Sequence, residues 1–350
     1  MSYQLNDKLK NLKPYQPTQG LYKICLDANE SYINFADNFA GRFSSVVSNI
    51  DFNRYPDPNA TELCRIFAAR HGLDPRFVTA GNGSDEIISV IVSAFLEKGE
   101  TMLTLEPDFP MYSVYGELYE CKVAKLYKDE NLIITPDEVL AGIKKTGARL
   151  LVFSNPCNPT SLGLKRSDVL KIVAGTDALV LVDEAYMDFW SESILDVVCD
   201  YDNLIVLKTC SKAVGAAAIR LGFAVANETL TYALKSAKSP YNVNALTQAV
   251  GEVILSEKTL LARSVKEILS SRQNLEEALL ALAEESQEII RVYHSCTNFV
   301  FMKMKNATAV HEALFKRSIS VRLMGEYLRI TVGDEDEIKE LLRELRQILL

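Results

Sequence analysis

The chain has 350 residues, 48% hydrophobic and 24% charged, with a formal net charge of −8: the balance of a folded globular protein, not a disordered one. This acidity, without any Lys/Arg-rich block, argues against nucleic acid as a partner, and no apolar run approaches the roughly eighteen residues that cross a bilayer. Seven scattered cysteines without Cys-x-x-Cys spacing and three isolated histidines (His71, His294, His311) argue against a zinc site and a disulfide framework, and for a reducing cytoplasm.

The length exceeds what one compact core usually holds, so two domains in contact are expected. Met1–Lys13 is polar and lacks the apolar stretch of a secretory signal. With Pro14, Pro17 and Gly20 following, the start of the chain reads as an extended arm, taken here as residues 1–27. A large domain over residues 28–258 follows. From about Phe77 its pattern is α/β: short apolar runs alternating with helical stretches, the mark of a mostly parallel sheet. Strands are predicted at Met102–Leu105, Leu150–Phe153, Leu179–Val182, Leu204–Leu207 and Gly222–Ala226, several of them continuously apolar as strands covered on both faces should be. Beyond residue 258 the texture becomes that of a smaller α+β domain, residues 259–350. It opens with an amphipathic helix over Leu260–Glu285 and continues with strands at Ile289–Tyr293 and Asn298–Lys303. A helix near Ala309–Arg317, strands around Val321 and Leu328–Val332, and a closing helix Asp334–Leu350 complete it.

Residues that carry chemistry fall just after the apolar runs, where open α/β sheets bind their ligands. Val78–Ala80 leads into Gly81-Asn82-Gly83-Ser84-Asp85-Glu86 and then a helix. The glycines allow a tight turn, Ser84 can cap the helix, and the free N–H groups suit a phosphate, although a plain capped helix has the same pattern. Leu150–Phe153 runs into Ser154-Asn155-Pro156-Cys157-Asn158-Pro159-Thr160, where the prolines pin a loop and leave Asn158 free for a ligand oxygen. Cys157 reads as packing. Asp183, directly after a buried strand, needs a cationic partner, and a protonated ring nitrogen would supply one. A helix N-cap or a metal carboxylate of the Walker B kind is the rival reading, the latter weakened because no Gly-Lys-Ser/Thr loop is present. After Leu204–Leu207, Lys212 is placed for condensation with an aldehyde, with Ser211 and Arg220 close in sequence for a phosphate.

Taken in order, Gly83-Ser84-Asp85-Glu86, Pro107-Asp108-Phe109, Asn155-Pro156-Cys157-Asn158-Pro159-Thr160, Asp183-Glu184-Ala185-Tyr186, Ser211-Lys212 and Arg220-Leu221-Gly222 resemble the fold-type I, class I/II aminotransferases over nearly the whole chain. Leu12-Lys13-Pro14-Tyr15, Leu26-Asp27-Ala28-Asn29-Glu30, Asn53-Arg54-Tyr55-Pro56, Ser239-Pro240-Tyr241-Asn242-Val243-Asn244 and Leu328-Arg329-Ile330-Thr331-Val332-Gly333 are most similar to the histidinol-phosphate aminotransferase branch. The resemblance implies a seven-stranded, mostly parallel sheet in the large domain and pyridoxal 5'-phosphate as cofactor, carried as a Schiff base on Lys212. It further implies Asp183 at the ring nitrogen, Phe109 stacked on the ring, and Asn158 and Tyr186 at the ring oxygen. Ser84, Asp85 (through its N–H), Ser211 and Arg220 would hold the phosphate, with Tyr55 supplied by the second subunit of a homodimer that shares its active sites. Arg329 would grip the carboxylate of glutamate, Arg322 and Tyr15 the phosphate of the second substrate, and Asn29 would also lie against substrate. The reaction implied is ping-pong transamination between histidinol phosphate and 2-oxoglutarate. An aromatic (phenylalanine) aminotransferase and a threonine-phosphate decarboxylase-like lyase share much of the pattern, and a non-enzymatic pyridoxal phosphate-binding regulator is a more remote reading. Ser161 after Asn-Pro-Thr, the bland Ala216-Ala217-Ala218-Ile219 segment and Ser31-Tyr32 after Asn29-Glu30 depart from the family pattern, and Tyr32 is expected near the substrate entrance.

Overall fold

The computed structural model describes residues 3–10, 12, 20 and 22–350. Tyr15 lies outside the described residues. Twelve strands among them build two sheets. The strands are β1 (Ile24–Leu26), β2 (Val78–Gly81), β3 (Thr101–Glu106), β4 (Lys122–Tyr127), β5 (Leu150–Ser154) and β6 (Leu179–Asp183), followed by β7 (Leu204–Thr209), β8 (Gly222–Ala226), β9 (Ile289–Val292), β10 (Phe299–Met304), β11 (Ile319–Met324) and β12 (Tyr327–Thr331).

The larger sheet has the order β2-β8-β7-β6-β5-β3-β4, and only β8 runs against its two neighbours. Strands β5, β7 and β8 are buried at every residue, which is why they read as unbroken apolar runs. The two-residue period of the strand divides them between two cores. Leu151, Phe153, Val180, Val182, Leu204 and Val206 pack on one face, while Leu150, Val152, Leu181, Ile205 and Leu207 pack on the other. The edge strand β4 was not expected from sequence. Lys122 and Lys125 interrupt its apolar residues and keep the sheet edge polar, which also discourages pairing with another chain.

The helix Lys258–Glu285 leads to the smaller sheet, ordered β1-β11-β12-β10-β9. Its core includes Leu275, Leu279 and Leu282 of that helix, Val300 and Met302 of β10, and Leu341 and Leu345 of the C-terminal helix. The N-terminal segment contributes β1, which pairs in parallel with β11 and so belongs to a sheet otherwise built entirely from the last quarter of the chain. Among the described residues no helix is long and apolar enough to cross a membrane.

Candidate active site

A cavity of about 600 Å³ opens at the carboxyl ends of β3, β5, β6 and β7, roofed by β11 and β12 of the smaller sheet. It gathers Asn29, Ser84, Asp85, Phe109, Asn158, Asp183, Tyr186, Ser211, Lys212, Arg220, Arg322 and Arg329, residues that lie in widely separated segments of the sequence.

Lys212 follows β7, and its Nζ donates a hydrogen bond to the Ala28 carbonyl at 3.0 Å and lies 5.9 Å from the centre of the Tyr186 ring. Burial and the neighbouring Arg329 charge hold its amine down to about 8, against a usual value near 10.5. The last residue of β6, Asp183, is buried. Its Oδ2 accepts a hydrogen bond from the Tyr112 hydroxyl at 2.9 Å, and its Oδ1 accepts one from the Ala185 N–H at 3.1 Å. Burial raises Asp183 to about 7, so its charge calls for a cation in the cavity. The neighbouring Glu184 points the other way. It accepts from the Ser193 hydroxyl and the Ile194 N–H, with the buried Lys208 amine 3.9 Å off and bridged to Asp188 at 3.2 Å.

The anion end is built where β8 meets the turn before the helix Ser84–Phe95. Gly222 and Gly81 lie opposite each other across β8 and β2. A side chain on Gly222 would come 2.6 Å from the Ser84 nitrogen, so only glycine lets the turn lie this close. Gly83 adopts φ +82°, and the Arg220 guanidinium packs over it, 2.7 Å from where a Cβ would stand. Ser84 is the first helical residue and does not cap the helix with its side chain, correcting the expectation above; it brings its N–H to the helix start instead. Glu86 turns away to the Asn82 N–H and the Asn242 amide, but the Asp85 carboxylate pairs with Arg220 at 3.3 Å. The Ser211 hydroxyl is 3.1 Å from that of Thr209.

Two loops flank the middle of the cavity. Phe109 lies edge-on to Tyr112, with ring centres 5.5 Å apart, and Asn158 follows β5. Asn158 is not free as expected: its Oδ1 accepts from Arg329 Nη1 at 2.5 Å, while Arg329 Nη2 donates to the Asp27 carbonyl at 2.5 Å. Asn29 is likewise engaged, donating to the Tyr186 hydroxyl at 2.9 Å and accepting from Thr331 at 3.2 Å. Burial raises the Tyr186 hydroxyl to about 12, keeping it a neutral donor. Arg322 lines the roof opposite Arg329 in the β11–β12 pairing. Tyr55 is absent from the cavity of its own chain; it is 81% exposed and stacked on Tyr241 at 4.5 Å. Nor does Tyr32 line the cavity, since its hydroxyl is 3.1 Å from that of Ser271.

Sequence reasoning missed Tyr112, Asp108 and Lys128. Buried Asp108 accepts from the Phe109 N–H at 2.8 Å, from the Ser154 N–H at 3.1 Å and from the Ser154 hydroxyl. Lys128 donates to the Pro107 carbonyl at 2.6 Å and to Cys157 Sγ at 3.2 Å, so Cys157 is a contact of the loop and more than packing. A tyrosine in the first turn of a helix, or a lysine just past an edge strand, carries no local signal of such a role.

These groups suit pyridoxal phosphate. An amine of lowered pKa, a buried carboxylate without a cation of its own, and an arginine with a helix start form one lining, as an aldehyde, a ring nitrogen and a phosphate require. The fold and this lining define an enzyme of group transfer, and the comparisons name the class. The family model for aminotransferases of class I and II matches residues 23–345, and the chain belongs to that family. It is 39% identical to the histidinol-phosphate aminotransferase of Clostridium kluyveri over 97% of both chains. Among solved structures it is similar in fold to histidinol-phosphate aminotransferase from Sinorhizobium meliloti in complex with pyridoxal-5'-phosphate, with a TM-score of 0.87 and 20% identity over 98% of this chain and 97% of that one. L-threonine-O-3-phosphate decarboxylase from Porphyromonas gingivalis is also similar, with a TM-score of 0.78 and 20% identity over 93% of this chain and 98% of that one.

Proposed function

We propose that the chain is a pyridoxal phosphate-dependent aminotransferase that exchanges an amino group between histidinol phosphate and 2-oxoglutarate by a ping-pong route. The observation that carries this reading is the shared lining of Lys212, Asp183, Arg220 and the Arg322–Arg329 pair in one cavity. Pyridoxal phosphate, when bound, supplies an electron sink that makes the substrate Cα–H acidic. The chain's own groups do the rest. The amine of Lys212, held down to about 8 and so far more available near neutral pH than an ordinary lysine, takes and returns that proton. Asp183, oriented by Tyr112, meets the charge of the ring nitrogen, and Tyr186 and Asn158 face the ring oxygen. Phe109 covers the ring face. Arg220, Ser211 and the helix start at Ser84 and Asp85 hold the cofactor phosphate. Arg329 receives the carboxylate of glutamate or 2-oxoglutarate, and Arg322, with Tyr15 and Asn29, the phosphate-bearing substrate. Two roof cations suit two anionic substrates that use the site in turn.

The reading includes a homodimer, supported by the exposed Tyr55–Tyr241 stack, which gives a partner an aromatic surface to bury. It includes a cytoplasmic location, supported by seven cysteines that are all free. It also includes a large domain over 28–258 and a small one over 259–350, supported by the helix Lys258–Glu285 between the two sheets.

The test follows the near-visible band of the lysine-bound cofactor, at roughly 420 nm, as histidinol phosphate, phenylalanine or O-phosphothreonine is added separately. Histidinol phosphate should bleach the band and 2-oxoglutarate restore it. Bleaching by phenylalanine alone would replace the substrate with an aromatic one, and release of CO2 from O-phosphothreonine would replace the reaction with decarboxylation. No band after addition of the cofactor would remove the Lys212 assignment altogether.

A further inference from the structure

Asp108 belongs to none of the roles just assigned, yet its carboxylate is buried, and the charge that favours it most is that of Lys128 behind the loops. Burying an ionisable group costs several kcal/mol unless its lone pairs are used. Here they are used on both flanking loops at once. Oδ1 takes the Phe109 N–H at 2.8 Å and the Ser154 hydroxyl, and Oδ2 takes the Ser154 N–H at 3.1 Å. Because Ser154 gives its proton to Asp108, its oxygen is free to accept, and it takes the Asn158 N–H at 3.1 Å. Asn158 then receives Arg329 through its side chain. A single chain of bonds thus runs from Phe109 through Asp108, Ser154 and Asn158 to Arg329, and so from the larger sheet to the smaller one. Lys128 holds the same two loops from behind, bonding the Pro107 carbonyl on one and Cys157 on the other.

We infer that Asp108 is a positioning residue that locks the ring-covering Phe109 and the Arg329-binding Asn158 into one unit, so that cofactor seating and carboxylate recognition are set together. The inference deepens the cofactor reading above and rests on it. A carboxylate is the group that fits: at least three donors converge on its two oxygens, and an asparagine would turn an NH2 toward the Ser154 N–H. Ser154 is the step that can be removed with least disturbance, because Ser154→Ala leaves both backbone bonds to Asp108 in place and takes away only the hydroxyl that joins Asp108 to Asn158.

The experiment measures cofactor Kd, kcat and the KM for 2-oxoglutarate in Asp108→Asn, Ser154→Ala and the double variant. Asp108→Asn should weaken cofactor binding and raise KM, each roughly tenfold or more, as expected for loss of a charge-assisted hydrogen bond. Ser154→Ala should raise KM with little change in cofactor Kd. The double variant should be no worse than Asp108→Asn, because the two act in series. Additive effects, or a lower melting temperature with Kd and KM unchanged, would make Asp108 a structural group only and overturn the inference. If Asp108→Asn fails to fold, Ser154→Ala decides alone: an unchanged KM rejects the link. Wild-type protein that forms no absorption band with pyridoxal phosphate would bring down the underlying reading and this inference with it. A band in the wild type with unshifted variants brings down the inference alone.

Discussion

Lys212 is reactive only as the free amine, and its surroundings set the pH at which that form appears. With the amine held down to about 8, protonation removes the nucleophile progressively below that pH, and above it the rate has nothing further to gain. The rate at which cofactor-free protein takes up pyridoxal phosphate should therefore rise about tenfold per pH unit up to near 8 and then level off. Stopped-flow absorbance across pH 6–10 would check this; continued increase toward pH 10 would mean an ordinary, solvated lysine. Much of this residue scale was legible in the sequence. Asp183, Ser211 and Lys212 sit at or just after the ends of buried strands and Arg220 just before the start of one. Asp108 and Tyr112 were not legible, because their partners Ser154 and Asp183 lie 46 and 71 residues away and only the sheet brings them together. The engagement of Asn158 by Arg329, across 171 residues, was hidden for the same reason.

At the scale of elements, the anion end depends on how closely β8 approaches the start of the helix Ser84–Phe95. A methyl group on Gly222 would stand 2.6 Å from the Ser84 nitrogen and 2.8 Å from the Gly83 carbonyl carbon, both backbone atoms that cannot rotate away. Gly222→Ala should cost about 1–3 kcal/mol and displace the turn proposed to meet the phosphate, lowering both the melting temperature and the affinity for cofactor. Gly41→Ala is the matched control: nothing lies within 4 Å of the added methyl in that exposed helix, so stability should hold or rise slightly. Equal loss in the two variants would refute the close-approach account. Buried strands were the most readable elements, since burial on both faces leaves an apolar run that needs no partner to be recognised. Gly222–Ala226 appeared with its observed ends. β4 escaped because an edge strand shares its surface with solvent, and β1 because three residues carry no periodicity.

At the scale of the whole molecule, Tyr55 does not line its own cavity and is exposed, so its assignment to a cofactor site requires a second copy of the chain. That makes a specific statement about mixtures. Lys212→Ala chains and Tyr55→Phe chains should each be impaired as pure dimers. When they are co-refolded, half the dimers are hybrids, each with one intact site, so roughly a quarter of wild-type sites should return. No recovery on mixing, with hybrid dimers verified by native mass spectrometry, would place Tyr55 outside the site. That there are two sheets was readable from the switch of pattern near residue 258, whereas the contribution of the arm to the smaller sheet was not. That contribution has a consequence for how the protein is made. β1 supplies Ile24–Leu26, and its register partner is Ile319–Val321, so the first strand to leave the ribosome waits for nearly the last. The carbonyls just beyond it, Asp27 and Ala28, are the ones that hold Arg329 and Lys212. A nascent chain therefore carries Lys212 and the carbonyl that holds it long before the strand that anchors that carbonyl, and a ribosome stalled short of β11 would display an unfinished pocket.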